Sequence, residues 1–113
     1  MKKLFSICIV SAGILLAGTV CAPVYAADGA KIYGSKCSVC HGPKGAGTPM
    51  GPGFKGNEFI TKGKTSDIKK VIIEGRTGKD KKYPKLSMDM PKNPMPDDEA
   101  DALIKFMQSD MQK

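Results

Sequence analysis

Apolar residues recur at helical spacing in three separate stretches, and nowhere does the chain alternate with the two-residue period of a half-buried strand. In residues 27–40, Ile32 and Tyr33 mark one side of a first helix, with Asp28 placed to cap its start. In the second, beginning at Thr65 or Ser66, Ile68, Val71 and Ile72 share a face before Gly75 stops the helix. The third runs from Asp97 to Asp110, carries its acids in the first turn, where they complement the helix dipole, and turns Leu103, Phe106 and Met107 inward. Between these helices the pattern dissolves. Five Gly and three Pro fall between Gly42 and Gly53, which excludes regular structure there; Phe54 and Phe59 are expected to tuck inward, with a helical turn near Asn57–Thr61. A lysine-rich, unpatterned segment covers Arg76 to Met90. The expected fold is all-α, three main helices and long loops.

The first 26 residues follow a different rule. Met1-Lys2-Lys3 is a basic start, Leu4 to Gly18 is an apolar run too short to span a bilayer comfortably, and Val24-Tyr25-Ala26 offers small residues for cleavage. This is a secretory signal expected to be cut after Ala26, leaving 27–113 as one domain. Retention as a membrane anchor is the alternative. Cys21 does not suggest lipidation, because Gly18-Thr19-Val20 lacks the usual leucine and the small neighbour of the cysteine.

Composition narrows the picture in two ways. Cleavage removes Cys8 and Cys21, so Cys37 and Cys40 become the only thiols and no structural disulfide is expected. With no tryptophan and only Tyr33, Phe54, Phe59, Tyr83 and Phe106 as aromatics, the mature core is thin, and chains of this size seldom fold without a staple. The charge is basic: 18 Lys and Arg against 11 Asp and Glu, which becomes about +5 once Lys2 and Lys3 leave. From Lys55 to Lys92 there are 11 basic and 5 acidic residues. Nucleic acid is not the expected partner, since the chain is exported and has neither an arginine cluster nor a stacking platform.

The chemistry is concentrated in Cys37-Ser38-Val39-Cys40-His41. Two cysteines two residues apart, followed at once by histidine, are the attachment signature of c-type haem. At the end of a helix, positions i, i+3 and i+4 share a face, so both thiols and the imidazole address one object. The thiols would join the haem vinyls, and His41 would bind the iron. A thiol redox pair needs a βαβ context that is absent. A zinc site needs four ligands where the mature chain offers two Cys and one His.

The iron's sixth ligand cannot be a second histidine, because His41 is the only one. Methionine is the alternative, and it stabilises ferrous iron relative to bis-histidine ligation. Met107 and Met111 read as core residues of the last helix, and Met50 lies close after His41, on the same side of the haem. Met88, Met90 and Met95 stay open, with Met90 the first candidate and Met95, set between two prolines, better explained by packing at the helix start.

Taken in order, Cys37-x-x-Cys40-His41, Gly51-Pro52-Gly53-Phe54-Lys55-Gly56, Met90-Pro91-Lys92-Asn93 and the helix start Asp97-Asp98-Glu99-Ala100 resemble the short monohaem class I cytochromes c of bacteria. The likeness spans residues 28–110. It implies the cytochrome c fold around one covalent haem c. It also implies that the Pro52 carbonyl accepts from the His41 Nδ1–H, that Gly29 and Tyr33 cross the last helix near Phe106, and that Met90 is the axial thioether. One departure is Lys92-Asn93-Pro94, where many relatives carry an aromatic.

The function these features imply is a periplasmic carrier shuttling single electrons between respiratory donors and a terminal reductase or oxidase. No nucleophile, acid–base pair or second cofactor site points to an enzyme. A monomer is expected, with redox partners that present acidic docking surfaces to Lys79, Lys81, Lys82, Lys85 and Lys92. Two alternatives are a haem-c subunit of a larger respiratory enzyme and, if the distal site is open, a ligand-binding sensor or peroxidase.

Overall fold

The structure, a computed structural model, describes residues 26–113, so the signal segment apart from Ala26 lies outside the described residues. Among those described there are helices, turns and two isolated bridges but no strand, and the fold is all-α as expected. The helices are α1 (Gly29–Lys36), α2 (Ser38–His41), α3 (Glu58–Thr61), α4 (Thr65–Glu74) and α5 (Asp97–Gln108).

Asp28 caps α1 as its side chain predicts, accepting from the Lys31 N–H at 3.2 Å. The expected continuous helix through Cys40 is instead two pieces. α1 ends at Lys36, and after Cys37 a single turn, α2, carries Cys40 and His41. The break is slight, since Cys37 keeps a helical conformation and its carbonyl accepts from both Cys40 and His41. The thiols therefore stay roughly one turn apart. Hydrogen bonds fasten this turn from outside: Tyr33 Oη donates to the Gly42 carbonyl at 2.6 Å and Thr48 Oγ1 to the Cys40 carbonyl at 2.5 Å.

α5 is the spine of the core. Ala100, Leu103, Ile104 and Met107 are all buried, the i, i+3, i+4, i+7 stripe of an amphipathic helix. Burying each of the larger three contributes about 1.5–3 kcal/mol relative to leaving it in water. The helix ends at Gln108, short of Asp110, and a 3-10 turn at Asp110–Gln112 buries Met111. Phe106 is half-buried and packs on Tyr33, with ring centroids 6.0 Å apart.

α1 crosses α5 at Gly29, where a Cβ would land on the Ala102 carbonyl and crowd Phe106. Only the lack of a side chain permits that approach. α4 buries Ile68 and Ile72 against the same core and closes at Gly75, whose φ of 70° is easily adopted only by glycine. Asn57 caps α3, accepting from the Phe59 N–H at 3.1 Å, so the helical turn expected there forms. Of the two phenylalanines expected inside, Phe54 is buried and Phe59 is half-buried.

Candidate functional site

The haem motif opens onto an apolar cavity between the glycine-rich loop and the segment that follows α4. Cys37, Cys40 and His41 stand on one wall; Phe59, Ile68 and Leu103 are among the apolar groups lining it, and Met88 and Met90 reach it from the second loop. Sequence positions from 36 to 107 thus converge on one slot.

His41 has little exposure, 8%, and its surroundings fix its tautomer. Its Nδ1 lies 2.9 Å from the Pro52 carbonyl oxygen, which can only accept, so Nδ1 carries the proton and Nε2 keeps its lone pair. No fully buried polar side-chain atom among the described residues lacks a partner, so unpartnered Nε2 keeps access to the cavity that His41 lines. Burial lowers the pKa of the imidazole, and the Pro52 bond only partly offsets it. The ring is therefore held neutral, the form a metal requires.

Phe54 covers the imidazole, with centroids 4.2 Å apart and planes at 30°. Its own ring meets Tyr33 edge-on at 6.1 Å, and Tyr33 in turn meets Phe106. An aromatic column thereby links the histidine to the α1–α5 crossing. The sequence placed Phe54 inside but gave no sign of this stacking, which depends on how the glycine-rich loop folds back.

Cys37 and Cys40 are half-buried and form no disulfide with each other. Burial, assisted by the nearby Cys40 and opposed by Lys36, pushes the Cys37 thiol up to about 11. The direction is opposite to that of the reactive cysteine of a disulfide oxidoreductase.

The three methionines left open by the sequence are placed differently. Met95 does not line the cavity and packs, half-buried, against the core. Met88 lines it but is 51% exposed. Met90 lines it, is half-buried, and has its backbone fixed by an antiparallel bridge: Arg76 N–H to Met90 O at 3.0 Å and Met90 N–H to Arg76 O at 2.9 Å. The Asn93 N–H adds a third tie, to the Ile72 carbonyl at 3.0 Å. Met50, set aside from the sequence, also lines the cavity and is 37% exposed. The segment from Arg76 to Met90 is thus more ordered than its composition suggests, with a 3-10 turn at Gly78–Asp80 inside it.

The lysines assigned to a docking rim also divide. Lys79, Lys82, Lys85 and Lys92 are exposed. Lys81 is turned inward, its side chain 15% exposed, donating to the Leu86 carbonyl at 2.6 Å and facing Asp89 at 3.6 Å. Its charge serves the loop. Lys82 lies over the Phe59 ring at 5.4 Å, and the Arg76 guanidinium lies 5.0 Å from the same ring. Tyr83 Oη accepts from Asn57 Nδ2 at 3.2 Å.

Two adjacent thiols, a neutral imidazole with a free Nε2, thioethers within the same slot and an apolar wall form a donor set that fits a covalently held haem. Comparison with known proteins gives the same result. The family model described as cytochrome c matches residues 26–110. Among solved structures, the c-type cytochrome XoxG from Methylobacterium extorquens AM1 superposes with a TM-score of 0.51 at 20% identity, covering 72% of this chain and 48% of that one. At that identity the likeness concerns the fold, and the chain spans about half the length of that cytochrome. No curated protein matches.

Proposed function

The chain belongs to the cytochrome c family and carries a covalently attached haem c, and from that premise we propose that it is a periplasmic carrier of single electrons, with no enzymatic reaction of its own. Haem c supplies a one-electron couple at its iron. In this reading Cys37 and Cys40 would hold the haem through thioether links to its vinyl groups, and His41 Nε2 and the Met90 thioether would be the iron ligands. Residues 1–26 act as the export signal, and 27–113 form the working domain.

The observation that carries the reading is the Nδ1–Pro52 bond of His41. It leaves one nitrogen for a metal and holds the ring against rotation. Met90, its backbone held by the bridge to Arg76, would supply the second ligand. Phe59, Ile68 and Leu103 give the slot an apolar lining. The exposed lysines Lys79, Lys82, Lys85 and Lys92 favour brief encounters with redox partners that are acidic at their docking face. A monomer suffices for all of these roles. Carbon monoxide added to the reduced protein tests the closed distal side. The reading expects no rapid binding; fast formation of a carbonyl adduct would instead indicate a ligand sensor or peroxidase.

A further inference from the structure

We propose that Gln112 is a positioning residue for His41: the short turn after α5 holds the loop that sets the plane of the imidazole. The inference rests on the reading of His41 as an iron ligand. Gln112 uses every polar atom of its side chain on backbone. Its Oε1 accepts from the Gly56 N–H at 2.8 Å, and its Nε2 donates to the Phe54 carbonyl at 3.1 Å and the Met107 carbonyl at 2.7 Å. One amide thereby ties the glycine-rich loop to α5.

Phe54 is the point through which this tie reaches the site. Its N–H donates to the Gly45 carbonyl at 2.8 Å, its carbonyl accepts from Gln112, and its ring lies on His41. Met111 presses on the same loop: a Cβ at Gly45 would come within 2.6 Å of the Met111 sulfur. Pro52, two residues before Phe54, holds His41 Nδ1. Both contacts that orient the imidazole, one to its edge and one to its face, therefore lie on the stretch that Gln112 clamps. Partners of this kind set the orientation and basicity of a metal-bound histidine.

Gln108, the last residue of α5, provides a control. Its Nε2 donates to the Ile60 and Gly63 carbonyls at 3.0 and 3.2 Å, so it clamps α3 and the turn after it and makes no hydrogen bond to Pro52 or Phe54.

The test compares holoprotein carrying Gln112→Ala, Gln112→Glu or Gln108→Ala with wild type. It reads the midpoint potential, the hyperfine-shifted His41 ring-proton resonances of the ferric form, and Tm. Both alanine substitutions should lower Tm, but only Gln112→Ala should shift the potential and the His41 resonances. Gln112→Glu keeps the acceptor for Gly56 and loses both donors, so it should shift them in the same direction; it carries the test if Gln112→Ala does not fold. A Gln112 variant that lowers Tm while leaving potential and resonances at wild-type values overturns the inference, as does an equal shift from Gln108→Ala. Wild-type His41 protons without hyperfine shift would instead overturn the ligand assignment beneath it.

Discussion

Met88 and Met90 both reach the cavity, and the backbone separates them. Met90 exchanges two hydrogen bonds with Arg76, whereas Met88 is half exposed on a bend without such a tie. A ligand already held loses less conformational freedom on binding, and that difference favours Met90. Met90→Ala should therefore abolish the methionine-to-iron charge-transfer band of the ferric protein, and Met88→Ala should leave it intact; near-infrared absorption of the two variants checks this, and the opposite pattern would transfer the role to Met88. Gly75 belongs to the same device, because a Cβ there would collide with the Met90 carbonyl. Gly29 is the residue on which the helix crossing depends. Gly29→Ala must push α1 off the Ala102 carbonyl, and overpacking of this kind costs about 1–3 kcal/mol, measurable as a lower denaturation midpoint of the holoprotein.

Among the elements, those with periodic apolar faces were legible from the sequence and the connections were not. α4 begins at Thr65 and stops before Gly75 as its pattern states, and the stripe of α5 follows directly from residue spacing. The break at Cys37 was hidden, because Lys36, Cys37 and Ser38 carry no Gly or Pro to announce it. The bridge between Arg76 and Met90 was equally hidden, since two single residues at the ends of one segment pair through backbone atoms and leave no side-chain signature. The roles of Phe54 and Gln112 rest on contacts between elements far apart in sequence, which periodicity cannot report. Local signals did hold where one side chain acts on its own turn. Asp28 caps α1 by accepting from Lys31, so Asp28→Ala should cost about 1 kcal/mol, seen as a lower Tm with an unchanged haem spectrum.

At the scale of the whole molecule, α5 and the haem slot share Leu103 and Met107, which are core residues and cavity lining at once. A core organised around a cofactor has little to bury without it. The double variant Cys37→Ala, Cys40→Ala should accordingly lose most of its helical circular dichroism, and a native-like signal would show that the chain folds unaided. The charge distribution makes a further prediction. Lys79, Lys82, Lys85 and Lys92 remain exposed, while Lys69 is drawn to Asp97 and Asp101 and Lys81 to Asp89. If the exposed set steers encounter, electron exchange with an acidic-faced partner should slow as salt is added, since the Debye length falls from about 10 Å at 0.1 M to about 3 Å at 1 M. A rate that stays flat or rises would remove steering.

Most depends on His41 and a methionine being the two protein ligands to the iron of a haem that Cys37 and Cys40 hold through its vinyl groups. The visible and near-infrared spectrum of the protein purified after haem maturation, taken in both oxidation states, tests it most directly. The account predicts a low-spin c-type spectrum with a methionine-to-iron band in the ferric form; colourless protein, or a ferric haem without that band, would contradict it.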